Sequence, residues 1–136
     1  MNDSALLFVY GSLRRGSGHA MSRWLAERAA WQSEALVAGL LYRVSWYPAL
    51  VYGAGQVRGD IYRVPQSLLQ ALDAYEAIQH APEDEYRREY GRVISVDAGI
   101  DAGVEVYEAW LYRYVQSVQG MALLPEGDWL LHLKAD

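Results

Sequence analysis

The chain reads as an α+β domain dominated by strands: a strand, a helix, a run of strands, a second helix and a closing hairpin. Three observations predict this. Apolar residues recur with period two across most of 34–64 and 86–114, whereas 18–31 and 65–76 carry them at helical spacing. Gly39 and Gly59 stand inside strand patterns, where a curved sheet bends or bulges. Eleven tyrosines and five tryptophans against one phenylalanine supply polar-tipped aromatics of the kind that line a barrel or a pocket.

Length and composition bound the rest. At 136 residues and 52% hydrophobic content the chain is expected to form one domain, 1–136, with a core that needs no staples. The absence of cysteine removes disulfides, thiolate catalysis and cysteine metal sites together and fits a reducing cytoplasm. No run approaches the roughly 18 apolar residues of a membrane span, and Met1-Asn2-Asp3-Ser4 has no secretory-signal character. The expected location is cytoplasmic, with no membrane partner. A net charge of −5 argues against a nucleic-acid partner, although Arg14-Arg15 and Arg87-Arg88 can hold a small anion. Composition leaves the oligomeric state open.

Leu6-Leu7-Phe8-Val9-Tyr10 predicts a strand buried on both faces. Gly11-Ser12-Leu13 ends it. The glycine opens backbone angles closed to other residues, so successive N–H groups can turn toward one carboxylate or oxyanion. The loop is no phosphate cradle, because Ser17-Gly18 stands where Lys-Ser/Thr belongs. Neither is it a nucleophile elbow, so Ser12 reads as a hydrogen-bonding residue. Met21, Trp24, Leu25 and Ala29 then mark an amphipathic helix over 18–31.

Three strands are expected at 35–44, 47–51 and 56–64, separated by Ser45-Trp46 and Gly53-Ala54-Gly55. Pro48 belongs at an edge or a bulge. Pro65 opens the second helix at its first position, with Leu68, Leu69, Leu72 and Tyr75 as the apolar face. On an ideal wheel of about 100° per residue, Glu76 points between Leu69 and Leu72. A carboxylate so aimed is functional, or tied to an arginine, or released from the core because the helix stops there.

The acidic loop 78–85 follows. Strands at 86–96 and 104–114 pair as a hairpin about a turn at 97–103. The tail over 121–133 packs back on the body. His19, His80 and His132 lack metal-ligand spacing.

Phe8-Val9-Tyr10-Gly11-Ser12-Leu13, Leu72-Asp73-Ala74-Tyr75-Glu76 and Tyr86-Arg87-Arg88 together resemble the small gamma-glutamylcyclotransferase-like family. Tyr47-Pro48-Ala49 and Val57-Arg58-Gly59-Asp60-Ile61-Tyr62 fall in the same order, so the resemblance runs to about Tyr114. It implies a small mixed β-barrel with flanking helices and a cavity at one mouth. It assigns Tyr10, Gly11, Ser12 and Leu13 to the substrate-binding loop, Glu76 to the catalytic acid/base and Tyr86 to the cavity wall. The chain departs from the family pattern at Ala77, where glycine is usual.

The implied reaction is cyclisation of a gamma-glutamyl amide or peptide to 5-oxoproline with release of an amine or amino acid. It calls for no cofactor and no metal, and its partner is a small molecule. Two other readings use the same cavity: a noncatalytic module binding a small carboxylated metabolite, and a related amide-processing enzyme acting on an acylated amine. Arg14, Arg15, Trp46, Tyr47 and the loop 78–85 are expected to read the leaving group.

Overall fold

The computed structural model describes residues 4–96 and 105–134. In order these form β1 (Ser4–Val9), α1 (Ala20–Arg28), β2 (Ala30–Arg43), β3 (Pro48–Pro65), α2 (Gln66–Tyr75), β4 (Tyr86–Ser95), β5 (Val106–Tyr114), β6 (Ala122–Leu123) and α3 (Trp129–Lys134). β1 lies between β3, antiparallel, and β5, parallel. β5 pairs with β4, β4 with β2, and β2 returns to β3. The five strands therefore close into a mixed barrel, with β6 added on β2.

The alternation along β1 separates two cores, because successive side chains face opposite ways. Phe8 and Tyr10 join Val37, Leu41, Leu50, Val57, Ile61, Val93 and Leu111 in a cluster to which all five strands contribute, and Trp129 of α3 packs into it. Leu7 and Val9 join Leu25 of α1 and Leu68, Leu69 and Leu72 of α2 in a second cluster. Burial of β1 on both faces, as its apolar run predicts, follows from this central place: Leu7 and Phe8 are fully enclosed.

Four details differ from the sequence reading. Residues 48–65 form one strand rather than two, and Gly53-Ala54-Gly55 marks an excursion within it. Ala38 pairs with Gln56 and Leu40 with Val51, so Gly39 alone stands opposite residues 52–55. Gly39 has φ +152, which suits a glycine at such a register break. Gly59 is no bulge but a close approach, since a Cβ there would lie 2.3 Å from the Val9 carbonyl oxygen.

The first helix stops at Arg28, and Trp31 already belongs to β2. Its start is capped by His19, whose Nδ1 accepts from the Met21 amide. Pro65 precedes α2 as its N-cap rather than opening its first turn, because its ψ of 144° is extended. Tyr86 pairs with Tyr114 at the open end of the β4–β5 hairpin, while the expected turn 97–103 lies outside the described residues. Among the described residues no helix is long and apolar enough to cross a membrane.

Candidate active site

The loop after β1 is held from beneath. Gly11 accepts the Arg14 amide at 2.9 Å, closing a turn, and the Ser12 carbonyl accepts Ser17 Oγ at 2.6 Å. Asp60 of β3 accepts Arg14 Nε at 3.2 Å and the Arg15 amide at 3.0 Å on one oxygen, and Trp31 Nε1 at 3.2 Å on the other. Arg14 also donates to Glu34 at 3.1 Å and Asp128 at 3.0 Å. The loop is anchored by its carbonyls and by Arg14, which leaves other groups free. The amides of Gly11, Ser12 and Leu13 have no acceptor among the described residues.

Gly11 is needed here for space rather than for its torsion angles. Its φ lies outside the left-handed region, but a Cβ would meet Pro48 Cδ at 2.8 Å. That corrects the sequence expectation while keeping the glycine. Close passage of this loop over Pro48 forms one wall of a cavity of about 200 Å³.

The opposite wall comes from the end of α2. Ala77 donates to the Ala74 carbonyl at 3.1 Å and Ile78 to the Asp73 carbonyl at 3.0 Å. With Ala77 at φ +57, this is the paired closure that commonly ends helices, usually with glycine at the left-handed position. Ile78 packs against the helix-side core, so the chain is turned sharply just after Glu76. The Glu76 side chain is left half-buried in the cavity wall.

No described residue donates a hydrogen bond or forms an ion pair with the Glu76 carboxylate. Burial, followed by the negative charges of Glu85 and Asp73, raises its pKa to about 7. Such a group exchanges a proton near neutrality, where an ordinary glutamate stays ionised.

All six residues singled out by sequence line this one cavity: Tyr10, Gly11, Ser12, Leu13, Glu76 and Tyr86. Their contributions differ. The Leu13 side chain is buried in the helix-side core, so the loop amide is what it can offer the cavity. Ser12 Oγ lies 3.3 Å from the Tyr75 hydroxyl, joining the loop to the helix end. Tyr10 donates to the Tyr112 carbonyl and Tyr86 to the Pro48 carbonyl at 2.6 Å. Both hydroxyls are pushed well above the usual tyrosine range, chiefly by burial. Each therefore remains a neutral hydroxyl whose proton is committed; the Tyr10 oxygen also accepts from the Leu50 amide at 3.4 Å, whereas no described residue donates to Tyr86.

Arg14 and Arg15 are not in the cavity. Arg14 is buried among its three carboxylates, and the Arg15 guanidinium lies 3.5 Å over the Trp31 ring. Trp46, Tyr47 and Glu85 do line it, with Tyr75 and Tyr112. Tyr112 carried no signal beyond strand position, and Asp60 stood in the resemblance only as part of its segment, with no role assigned. A lone acid in an apolar strand, as in Gly59-Asp60-Ile61, is the pattern that marks Asp60, since buried acids are almost always paired.

Family comparison agrees with this geometry. The model of the family described as gamma-glutamyl cyclotransferase, AIG2-like, matches residues 7–131. The chain belongs to that family. Gamma-glutamylcyclotransferase family protein YtfP of Escherichia coli K12 is 33% identical over 124 residues, covering 91% of this chain and 95% of the relative. The ytfP protein of Citrobacter rodentium is 32% identical over 91% and 94%. Among solved structures, an AIG2-like protein of Mus musculus superposes with TM-score 0.74 at 22% identity, covering 94% of this chain and 89% of its own. The E. coli ytfP solution structure gives 0.54 at 29%, over 95% and 99%. The mixed barrel with flanking helices is thus the gamma-glutamylcyclotransferase fold.

Proposed function

We propose that the protein is a cyclotransferase that converts a gamma-glutamyl amide to 5-oxoproline and releases the amine, with Glu76 moving the proton. One observation supports this above the rest. An unpartnered carboxylate with a pKa raised to about 7 shares a small cavity with three backbone amides that lack acceptors.

The substrate carries both nucleophile and electrophile. Its α-amine nitrogen attacks the γ-carbonyl carbon, closing a five-membered ring. Glu76 takes the proton released by that nitrogen and gives it to the leaving nitrogen as the original amide C–N bond breaks. No net proton or electron is exchanged. Amides 11–13 hold the α-carboxylate, which fixes the amine toward Glu76 and the hydroxyl lone pairs of Tyr86. Positioning matters most in a ring closure, and acid–base help adds about 10²–10⁴-fold.

The test is 5-oxoproline release from gamma-glutamyl amines, gamma-glutamyl amino acids and glutathione, with Glu76→Gln alongside. Release by the native protein and a loss of about 10²–10⁴-fold in the variant, with binding kept, is the expected result. A variant within a few-fold of the native protein would remove Glu76 from the reaction.

A further inference from the structure

Glu76 has no partner of its own among the described residues, so its place depends on how the end of α2 is held against the barrel. The helix packs through Leu68, Leu69 and Leu72. Apolar burial is non-directional, and by itself it fixes the depth of the helix rather than its slide or roll. A carboxylate that moves a proton to and from a substrate needs a directional tie nearby.

Asp73 supplies that tie. One of its oxygens, Oδ1, accepts the Tyr112 hydroxyl at 2.7 Å and Arg88 Nε at 2.8 Å. Arg88 and Tyr112 are register partners across β4 and β5, so a single oxygen pins the helix to one rung of the hairpin. The Asp73 carbonyl accepts the Ile78 amide at 3.0 Å, one of the two bonds that close the helix behind Glu76. The residue therefore holds the turn with its backbone and the barrel with its side chain. Asp73 itself lies outside the cavity, lining a groove with Ile78, Arg88 and Trp110. It acts on the site without touching what the cavity holds.

The two side-chain links are not equal. The Arg88 guanidinium lies over Trp110, 4.4 Å from the ring centroid, and is partly exposed. Water can replace what it loses. Tyr112 is 4% exposed and lines the cavity. A buried hydroxyl requires an acceptor, and Asp73 is that acceptor. The Tyr112 carbonyl in turn accepts the Tyr10 hydroxyl. A continuous path thus runs from the helix end through Asp73 and Tyr112 to Tyr10 on the inner wall.

We infer that Asp73 is the positioning residue of this site: acting through Tyr112, it sets the end of α2, and with it Glu76, against the wall formed by Tyr10. Arg88 adds to the surface contact only. In its kinetic part the inference rests on the cyclotransferase reading; in its structural part it does not.

Four single variants and one double variant test it, with kcat and KM measured on the best substrate among gamma-glutamyl amines, gamma-glutamyl amino acids and glutathione. Rates are compared on the plateau above the acidic limb, because the Asp73 charge also acts on Glu76. Asp73→Ala should lower kcat by about ten- to a hundredfold, the scale of a small misplacement of reacting groups. KM should change by less than about threefold, because the loop amides still hold the substrate. Asp73→Asn, whose amide oxygen can accept the same two donors, should restore kcat to within about threefold of the native value. Tyr112→Phe should match Asp73→Ala, and the two combined should be no worse than either alone. Arg88→Met should stay within about threefold of native.

Amide exchange gives a readout independent of turnover. Relative to the amides of β1, those of Ala77 and Ile78 should exchange about tenfold faster in Asp73→Ala and Tyr112→Phe, and at close to the native rate in Asp73→Asn and Arg88→Met. Losses in Arg88→Met equal to those in Asp73→Ala, additive losses in the double variant, or no rescue in Asp73→Asn would make Asp73 a general support and overturn the inference. Should Asp73→Ala fail to fold, Tyr112→Phe against Arg88→Met carries the same comparison. If the native protein releases no 5-oxoproline from any of these compounds, the cyclotransferase reading falls and exchange decides the inference alone: faster exchange upholds it, and unchanged protection overturns it.

Discussion

Asp60 and Glu76 are carboxylates set against the same loop from opposite sides, and they have opposite surroundings. Asp60 receives Arg14 Nε, the Arg15 amide and Trp31 Nε1, and it is almost wholly enclosed. Glu76 is more open, yet no described residue donates to it. A carboxylate with a full set of donors is fixed in its charge and its place. One with none is held by its backbone alone and keeps its lone pairs unengaged. Burial by itself does not mark a working group; the missing partner does.

Removing each carboxylate should therefore fail in different ways. Asp60→Asn leaves Arg14 with less compensation in a buried site and weakens the Arg15 anchor. Breaking a buried pair costs about 3–5 kcal/mol, and urea unfolding at pH 7 should show a loss of stability of that order, with protection of the Arg14 and Arg15 amides lost first. Glu76→Gln should leave those protected amides as they are. An Asp60→Asn protein as stable as the native one would show that Glu34 and Asp128 hold Arg14 unaided, and would end the contrast.

The second difference reads in pH. In the native state burial raises Glu76 to about 7, whereas in the unfolded chain it titrates near the ordinary glutamate value. The folded form thus keeps a proton that the unfolded form gives up, and ionisation penalises the folded state. The penalty is absent at pH 4, grows as pH rises toward 7 and is complete above it. Glu76→Gln removes it. The variant should match the native protein at pH 4 and exceed it by roughly 3 kcal/mol at pH 8, read from paired denaturation curves. A gain of equal size at both pH values would assign it to packing. The same shift places the acidic limb of kcat/KM near pH 7. Glu85→Gln should move that limb downward, because Glu85 is the largest charge acting on Glu76.

These contrasts also explain what could be read from the chain. Strand β1, the apolar stripe of α2 and the inward aim of Glu76 are local patterns, fixed by spacing and by Pro65, and the barrel followed from the resemblance those patterns carried. The fate of Arg14 is not local. Its partners lie 20, 46 and 114 residues away in sequence, so a basic pair that reads as an anion site is a structural clamp. Gly53-Ala54-Gly55 misled for a related reason: a turn and an excursion opposite Gly39 ask for the same residues, and only the partner strand distinguishes them. At Gly11 the required residue was legible but its cause was not, because Pro48 comes near only in the fold.

The smallest effect concerns how the two sides hold their backbones. Ahead of Asp128, in the Arg14 cluster, the left-handed position is Gly127 at φ +63. After Glu76 it is Ala77 at φ +57, with a Cβ in a region that costs an L-residue about 1–2 kcal/mol. The clamp is relaxed and the cavity wall is strained, as is common where backbone geometry serves a site. Ala77→Gly removes that strain while adding freedom to the unfolded chain, so a net gain of about 0.5–1 kcal/mol and a rise of a few degrees in Tm are expected. Gly127→Ala runs the other way and much harder, since its Cβ would lie 2.1 Å from the Gln56 carbonyl oxygen. If Ala77→Gly left Tm unchanged or lowered it, the helix end would be relaxed with alanine in place. The closure that aims Glu76 would then cost the fold nothing.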